Sequence, residues 1–124
     1  MKNMSYLLDS YLNCSAYENV VFGWVLHREE MTAHVLSMIK NADYSLHRFS
    51  LVCSESVLIE RLQKDVDAGV RKNVSWNHAL ETRPNFDKMD TIKIEVDDMT
   101  PERAADTIYN VICPEEKSCR GNAP

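Results

Sequence analysis

Basic side chains are concentrated in the middle of this 124-residue chain, where their types and spacing suit phosphate binding. Guanidinium groups donate paired hydrogen bonds to phosphoryl oxygens, and a basic loop can stabilise charge on a phosphoryl group while it excludes water. We therefore predict a phosphate-binding lid around Gly69. Its cations are Arg61, Lys64, Arg71, Lys72 and Arg83.

The same charges are also typical of a solvated helix face. Glu60, Asp65 and Asp67 alternate with the cations. Glu60 precedes Lys64 by four residues, which is the favourable order for an ion pair on a helix surface. The residues alone leave both interpretations open.

Two further pairs of polar residues follow apolar segments. His27 and Arg28 come after the apolar run at residues 20–26, and the carboxyl ends of strands are where open α/β sheets bind ligands. We predict a substrate pocket there, with the alternative that these residues simply begin the next helix. Asp97 and Asp98 follow a later strand, where they would serve as ordinary strand-exit and helix-cap residues.

Three strands are predicted to hold these residues in place. Residues 20–26 form an apolar run without polar alternation, as expected of a central strand covered on both faces. Residues 49–53 are a second short buried strand, and the alternation in residues 91–96 indicates a partly exposed sheet edge.

Helices are predicted between these strands from apolar spacing and from capping residues. Ser54 should cap the third helix, Gly69 should end it, and Thr100 with Pro101 should begin the last one. Pro84 should stop the fourth helix. The predicted helices span residues 3–12, 29–40, 55–68, 74–80 and 101–112.

This alternation predicts an α/β fold of layers, with three parallel strands flanked by helices. We expect a single domain over residues 1–113 and a flexible tail over residues 114–124, which contains few apolar side chains.

Composition disfavours two classes of protein, those that bind nucleic acid and those that span a membrane. A formal charge of −5, without a run of lysines, disfavours nucleic-acid binding. No apolar stretch approaches the roughly 20 residues of a membrane span, and no leader opens the chain. The lack of a span and of a leader predicts a cytoplasmic location. The four cysteines form no C-x-x-C pair and the histidines have no ligand spacing, so we expect idle thiols and no metal site.

Three stretches, residues 18–28, 50–71 and 90–102, together resemble small P-loop kinase-like ATPases. The chain is similar to bacterial AAA-type nucleotide and shikimate kinase-like proteins from about residue 2 to residue 112. The resemblance places Arg61 in an E-R-L-x-K/R motif ahead of a basic lid, and Lys64 where many lids have arginine. It also places His27 and Arg28 near the substrate, and Asp97 and Asp98 beside the adenine. ATP and Mg²⁺ are implied by this resemblance only.

The main departure from that family is the phosphate loop, since the chain has no G-x-x-x-x-G-K-S/T motif. The chain resembles the C-terminal two thirds of such a domain, without the first strand that lies between the counterparts of residues 20–26 and 49–53. We expect unpaired strand edges, and hence a homo-oligomer or a complementing chain. The expected function is nucleotide binding through the basic lid without activity on its own. The alternative is a non-enzymatic interaction or regulatory domain that self-associates through its sheet edges.

Overall fold

A computed structural model describes residues 2–40, 42–72 and 76–114. These residues form a mixed α/β structure with five helices and a parallel sheet of two strands, so the predicted α/β class is confirmed. In chain order the elements are α1 (Lys2–Leu12), α2 (Glu29–Ser37), β1 (Phe49–Val52), α3 (Glu55–Asp67), α4 (Trp76–Lys88), β2 (Ile92–Glu95) and α5 (Pro101–Ile112). In the described ranges, no helix has the length and apolar character needed to cross a bilayer.

The chain divides into two compact units, Met1–Leu46 and His47–Pro124, called unit 1 and unit 2 below. Unit 1 contains α1 and α2, and its buried apolar side chains are Leu8 and Val35. Unit 2 contains the sheet and the three remaining helices. The single domain and the flexible tail stay predictions, and the tail beyond Pro114 lies outside the described residues.

The strand predicted at residues 20–26 is not confirmed. This segment contains no regular secondary structure, and Val21 is 92% exposed. A strand needs a neighbouring strand to pair its backbone N–H and C=O groups, and the described part of unit 1 contains none. Apolar composition indicates a tendency toward burial but does not supply that neighbour.

The other two predicted strands form the sheet of unit 2. Phe49 is in register with Ile92 and Val52 with Glu95. One more backbone bond extends the pairing, from the Val96 N–H to the Val52 carbonyl at 2.9 Å. In the described part of unit 2, each strand is therefore paired along one edge only.

The predicted start and end of α3 and the predicted start of α5 are confirmed. The Ser54 hydroxyl accepts a hydrogen bond from the Val57 N–H at 3.4 Å at the start of α3. Gly69 follows α3 with φ +72°, a conformation that favours glycine. The Thr100 hydroxyl accepts from the Arg103 N–H at 3.3 Å, with proline in the first turn of α5.

The prediction that Pro84 stops the fourth helix is wrong. Helix α4 continues through Pro84 to Lys88. Proline removes one backbone donor from the helix, at a cost of about 3 kcal/mol. Helix α4 packs against α3 and β1, and these contacts offset that loss. The predicted start of this helix, at residues 74 and 75, lies outside the described residues.

The core of unit 2 lies around the sheet and consists of Leu62, Met89, Ile94 and Ala104. The register and the alternation of side chains place Phe49, Leu51, Ile92 and Ile94 on one face of the sheet. Ile94 is buried there, whereas Leu51 remains 56% exposed and Ile92 46% exposed. This apolar face is only partly covered.

Candidate anion-binding site at the strand ends

Four polar residues make hydrogen bonds to or within the segments that follow β1 and β2, and we call them the strand-end cluster. They are Ser54, Arg61, Arg83 and Asp97. Because β1 and β2 are parallel and in register, their carboxyl ends lie at the same edge of the sheet. The cluster thus occupies the edge at which parallel α/β sheets bind their ligands.

Ser54 and Asp97 join the two strand exits directly. The Ser54 backbone N–H donates to Asp97 Oδ1 at 2.8 Å. Ser54 also caps α3, so the carboxylate lies next to the N-terminus of that helix. The partial positive charge of a helix N-terminus favours an anion there.

Arg61 reaches the cluster from α3. Its Nη2 donates to the Val96 carbonyl at 2.6 Å and, at 3.4 Å, to the Asp97 carbonyl. The Arg61 residue is exposed, and in the described part of the chain its Nε and Nη1 make no protein hydrogen bond. This guanidinium therefore binds the end of β2 and still carries donors that face water.

Arg83 reaches the cluster from α4. Its Nε donates to the Cys53 carbonyl at 2.7 Å, immediately beyond β1, and the residue is half-buried. A charge-assisted bond of this length is stronger than one between neutral groups. Helices α3 and α4 thus each supply one arginine to one strand end.

The electrostatics of the cluster hold Asp97 ionised. Hydrogen bonds from the Ser54 backbone and hydroxyl lower the pKa of Asp97, and the positive charges of Arg61 and Arg83 lower it further. Burial opposes this shift but does not reverse its direction. Two arginines against one aspartate leave the cluster with a net positive charge.

The donor set fits a phosphate better than a divalent cation. A guanidinium has five N–H donors, and each arginine here uses one nitrogen on a backbone carbonyl. Asp97 is the cluster's single carboxylate, and the positive charges of Arg61 and Arg83 act on it. The residues of the cluster therefore do not fit Mg²⁺, and residues 2–40, 42–72 and 76–114 contain no group of three His, Cys, Asp or Glu placed to hold a metal ion.

The remaining predicted lid cations lie away from the strand ends. Lys64 is exposed on α3. Arg71 Nε lies 3.4 Å from Asp65 Oδ2 in an exposed ion pair, and Lys72 is exposed at the last described position before residue 76. Of the five lid cations, the structure brings two to the cluster.

The predicted substrate-pocket residues lie in unit 1. Arg28 is the N-cap residue of α2 with extended backbone, and its carbonyl accepts from the Met31 N–H at 3.2 Å. This is the geometry of the alternative interpretation, in which His27 and Arg28 begin a helix. On the adenine side, Asp97 belongs to the cluster, whereas Asp98 is exposed in the turn after β2.

The role of the Ser54 backbone N–H was not predicted from the sequence. Ser54 was predicted only as a helix cap, yet the residue also donates to Asp97 forty-three positions later. The available signal was that a short polar residue closely follows each of the two strands. Parallel pairing of those strands would have placed the two residues together.

No family model, curated protein or solved structure matches this chain.

Proposed function

We propose that unit 2 binds the phosphate groups of a nucleotide at the strand-end cluster. The observation that carries this proposal is the convergence of Arg61 and Arg83 on the carboxyl ends of two adjacent parallel strands. The two residues come from different helices, so one bound phosphate can contact both α3 and α4. The proposal includes an origin among P-loop kinase-like proteins, which rests on the resemblance alone.

The binding mode follows from the N–H groups of Arg61 and Arg83 that are not bonded to the strand-end carbonyls. The carbonyl bonds fix the two guanidinium groups in orientation, which lowers the entropy lost when a ligand binds. The remaining N–H groups suit the bidentate geometry of phosphoryl oxygens. The negative charge of Asp97 offsets part of the positive charge of Arg61 and Arg83 in the absence of ligand.

We expect binding without turnover. These 124 residues contain no phosphate-loop motif, and loss of even one positioned electrostatic donor lowers enzymatic rates about 100- to 1000-fold. A complementing chain that supplies a strand and a phosphate loop would complete the layered kinase-like fold and restore activity. A cytoplasmic location is part of the same proposal, and four cysteines without a C-x-x-C pair are compatible with it.

The experiment is isothermal titration of ATP, ADP and tripolyphosphate into the purified chain, with and without Mg²⁺. We expect Arg61→Gln and Arg83→Gln each to weaken binding roughly 10- to 100-fold, as for loss of a hydrogen bond to a charged group. Lys64→Gln is the matched control, because it removes the same charge from an exposed site on α3. It should change the affinity less than about threefold.

Two results would contradict nucleotide binding at this site. One is the absence of saturable binding by a folded chain. The other is an equal loss of affinity in Arg61→Gln and Lys64→Gln, which would indicate a general effect of net charge rather than a site.

Self-association through the sheet is the second candidate function. In the described residues each strand has one unpaired edge, and Leu51 and Ile92 remain about half exposed. Parallel sheets are normally covered on both faces, and unpaired edges are templates for association. A second copy of unit 2 could cover this apolar face or extend its edges.

Light scattering over a wide concentration range tests this candidate. We expect an oligomer that Leu51→Lys converts to a monomer. Val70→Lys is the control: it introduces the same lysine at an exposed valine in the turn after α3 and should leave the oligomer intact. A monomer at all concentrations for the unmodified chain would refute self-association.

A further inference from the structure

Unit 1 contains an apolar cavity of about 980 Å³ that is open to solvent, since Trp24 and Val21 in its lining are 67% and 92% exposed. It is bounded by α1, by the irregular segment around Trp24 and by α2. Its volume lies at the upper end of the range for small-molecule pockets in proteins. The cavity occupies a unit in which only Leu8 and Val35 are buried apolar residues among those described, so unit 1 contains far more apolar surface than it covers.

The walls of the cavity combine aromatic rings with one carboxylate. Phe22 and Trp24 stack with ring centroids 6.4 Å apart and planes within 5° of parallel, and Tyr11 lines the cavity as well. Glu30, in the first turn of α2, is the only acidic residue in the lining. His34 lies four residues later along the same helix and also lines the cavity.

We propose that this cavity binds an organic cation with an apolar body, such as an alkylammonium amphiphile. Aromatic faces attract organic cations through the ring quadrupole, and a carboxylate adds direct charge complementarity. The apolar lining would take up the hydrocarbon part of such a ligand. An anionic amphiphile of the same length would place its head group against Glu30 and be repelled. The site is independent of the strand-end cluster.

The test uses the full chain with Trp76→Phe, so that Trp24 is the remaining tryptophan and reports on the cavity. Dodecyltrimethylammonium, laurate and dodecanol are titrated below their micellar concentrations while Trp24 fluorescence is recorded. We expect saturable binding with the cation favoured over laurate about tenfold. We expect Glu30→Gln to reduce that preference by roughly fivefold, as for one partly exposed charge pair.

Glu29→Gln is the matched control. It removes the same charge from the same turn of α2, but position 29 does not line the cavity. Helical circular dichroism of both variants shows whether α2 is retained.

Four results would overturn the proposal. They are no saturable binding, equal affinity for the cation and laurate, equal effects of the two glutamate variants, and loss of binding on dilution, which would indicate that a second copy forms the site.

Discussion

A buried hydroxyl bridge at the amino ends of the strands provides the sharpest test of how unit 2 is held together. Ser50 is 6% exposed, and its Oγ lies 2.6 Å from Thr91 Oγ1. Lys93 Nζ donates to the same Thr91 hydroxyl at 2.9 Å, and also to the carbonyls of Met89 and Thr91. We predict that Ser50 and Thr91 are energetically coupled across the two strands.

The expected changes in the free energy of unfolding depend on which hydroxyl group each substitution leaves without a partner. Thr91→Val keeps the side-chain shape but removes both hydroxyl contacts and leaves the buried Ser50 hydroxyl unsatisfied, at an expected cost of about 2–3 kcal/mol. Ser50→Ala removes the bridge while Thr91 still accepts from Lys93, at about 1 kcal/mol. In the double variant no hydroxyl is unsatisfied, so we expect it to be at least as stable as Thr91→Val alone, with a coupling of about 1 kcal/mol or more.

The assay is urea unfolding followed by the fluorescence of Trp76 in unit 2, in a Trp24→Phe background. Thr107→Val in α5 is the control, because its hydroxyl bonds only within its own helix, to the Arg103 carbonyl at 2.8 Å. It should cost no more than about 0.5 kcal/mol. The coupling is refuted if the loss of stability in the double variant equals the sum of the two single losses to within about 0.5 kcal/mol.

Three further predictions concern Asp97, Gly69 and Thr100. Because the pKa of Asp97 is lowered in the folded chain, its contribution to stability is present above the ordinary aspartate pKa and is lost as the pH falls through the lowered value. Asp97→Asn should therefore destabilise the chain at neutral pH, with a difference in urea midpoint that shrinks below about pH 4; an unchanged difference there would contradict the role of the charge. Gly69→Ala should lower the free energy of unfolding by about 1 kcal/mol in a thermal unfolding experiment, because φ is +72° at this position. Steric clash is not the cause, since apart from the chain neighbours no atom lies within 4 Å of the added Cβ. A more stable variant would contradict this prediction. Thr100→Ala should cost about 1 kcal/mol and Thr100→Ser much less, since serine keeps the cap of α5; equal losses would exclude capping as the cause.

The ends of α3, the start of α5 and the two strands of unit 2 were predictable from local sequence. The residues that end or begin α3 and α5, Ser54, Gly69 and Thr100, act on backbone groups within a few positions, so their effect does not require the rest of the fold. The strands around Leu51 and Ile94 were predictable for a related reason, because short β-branched and aromatic segments between turn residues favour extended backbone.

Features that need a partner distant in the sequence depend on how the chain packs in three dimensions. Residues 20–26 have strand-like composition but find no strand to pair with in the described part of unit 1. Helix α4 passes Pro84 because it packs against α3 and β1.

The strand-end cluster shows the same division between local and distant information. The sequence contained Arg61, Arg83 and Asp97 as separate candidates, among other cations that the structure leaves away from the strand ends. Only the parallel pairing of β1 with β2 brings Ser54 to Asp97 and presents the strand-end carbonyls to the two arginines. Side-chain type is a local property, whereas the position of a binding site depends on which strand ends meet.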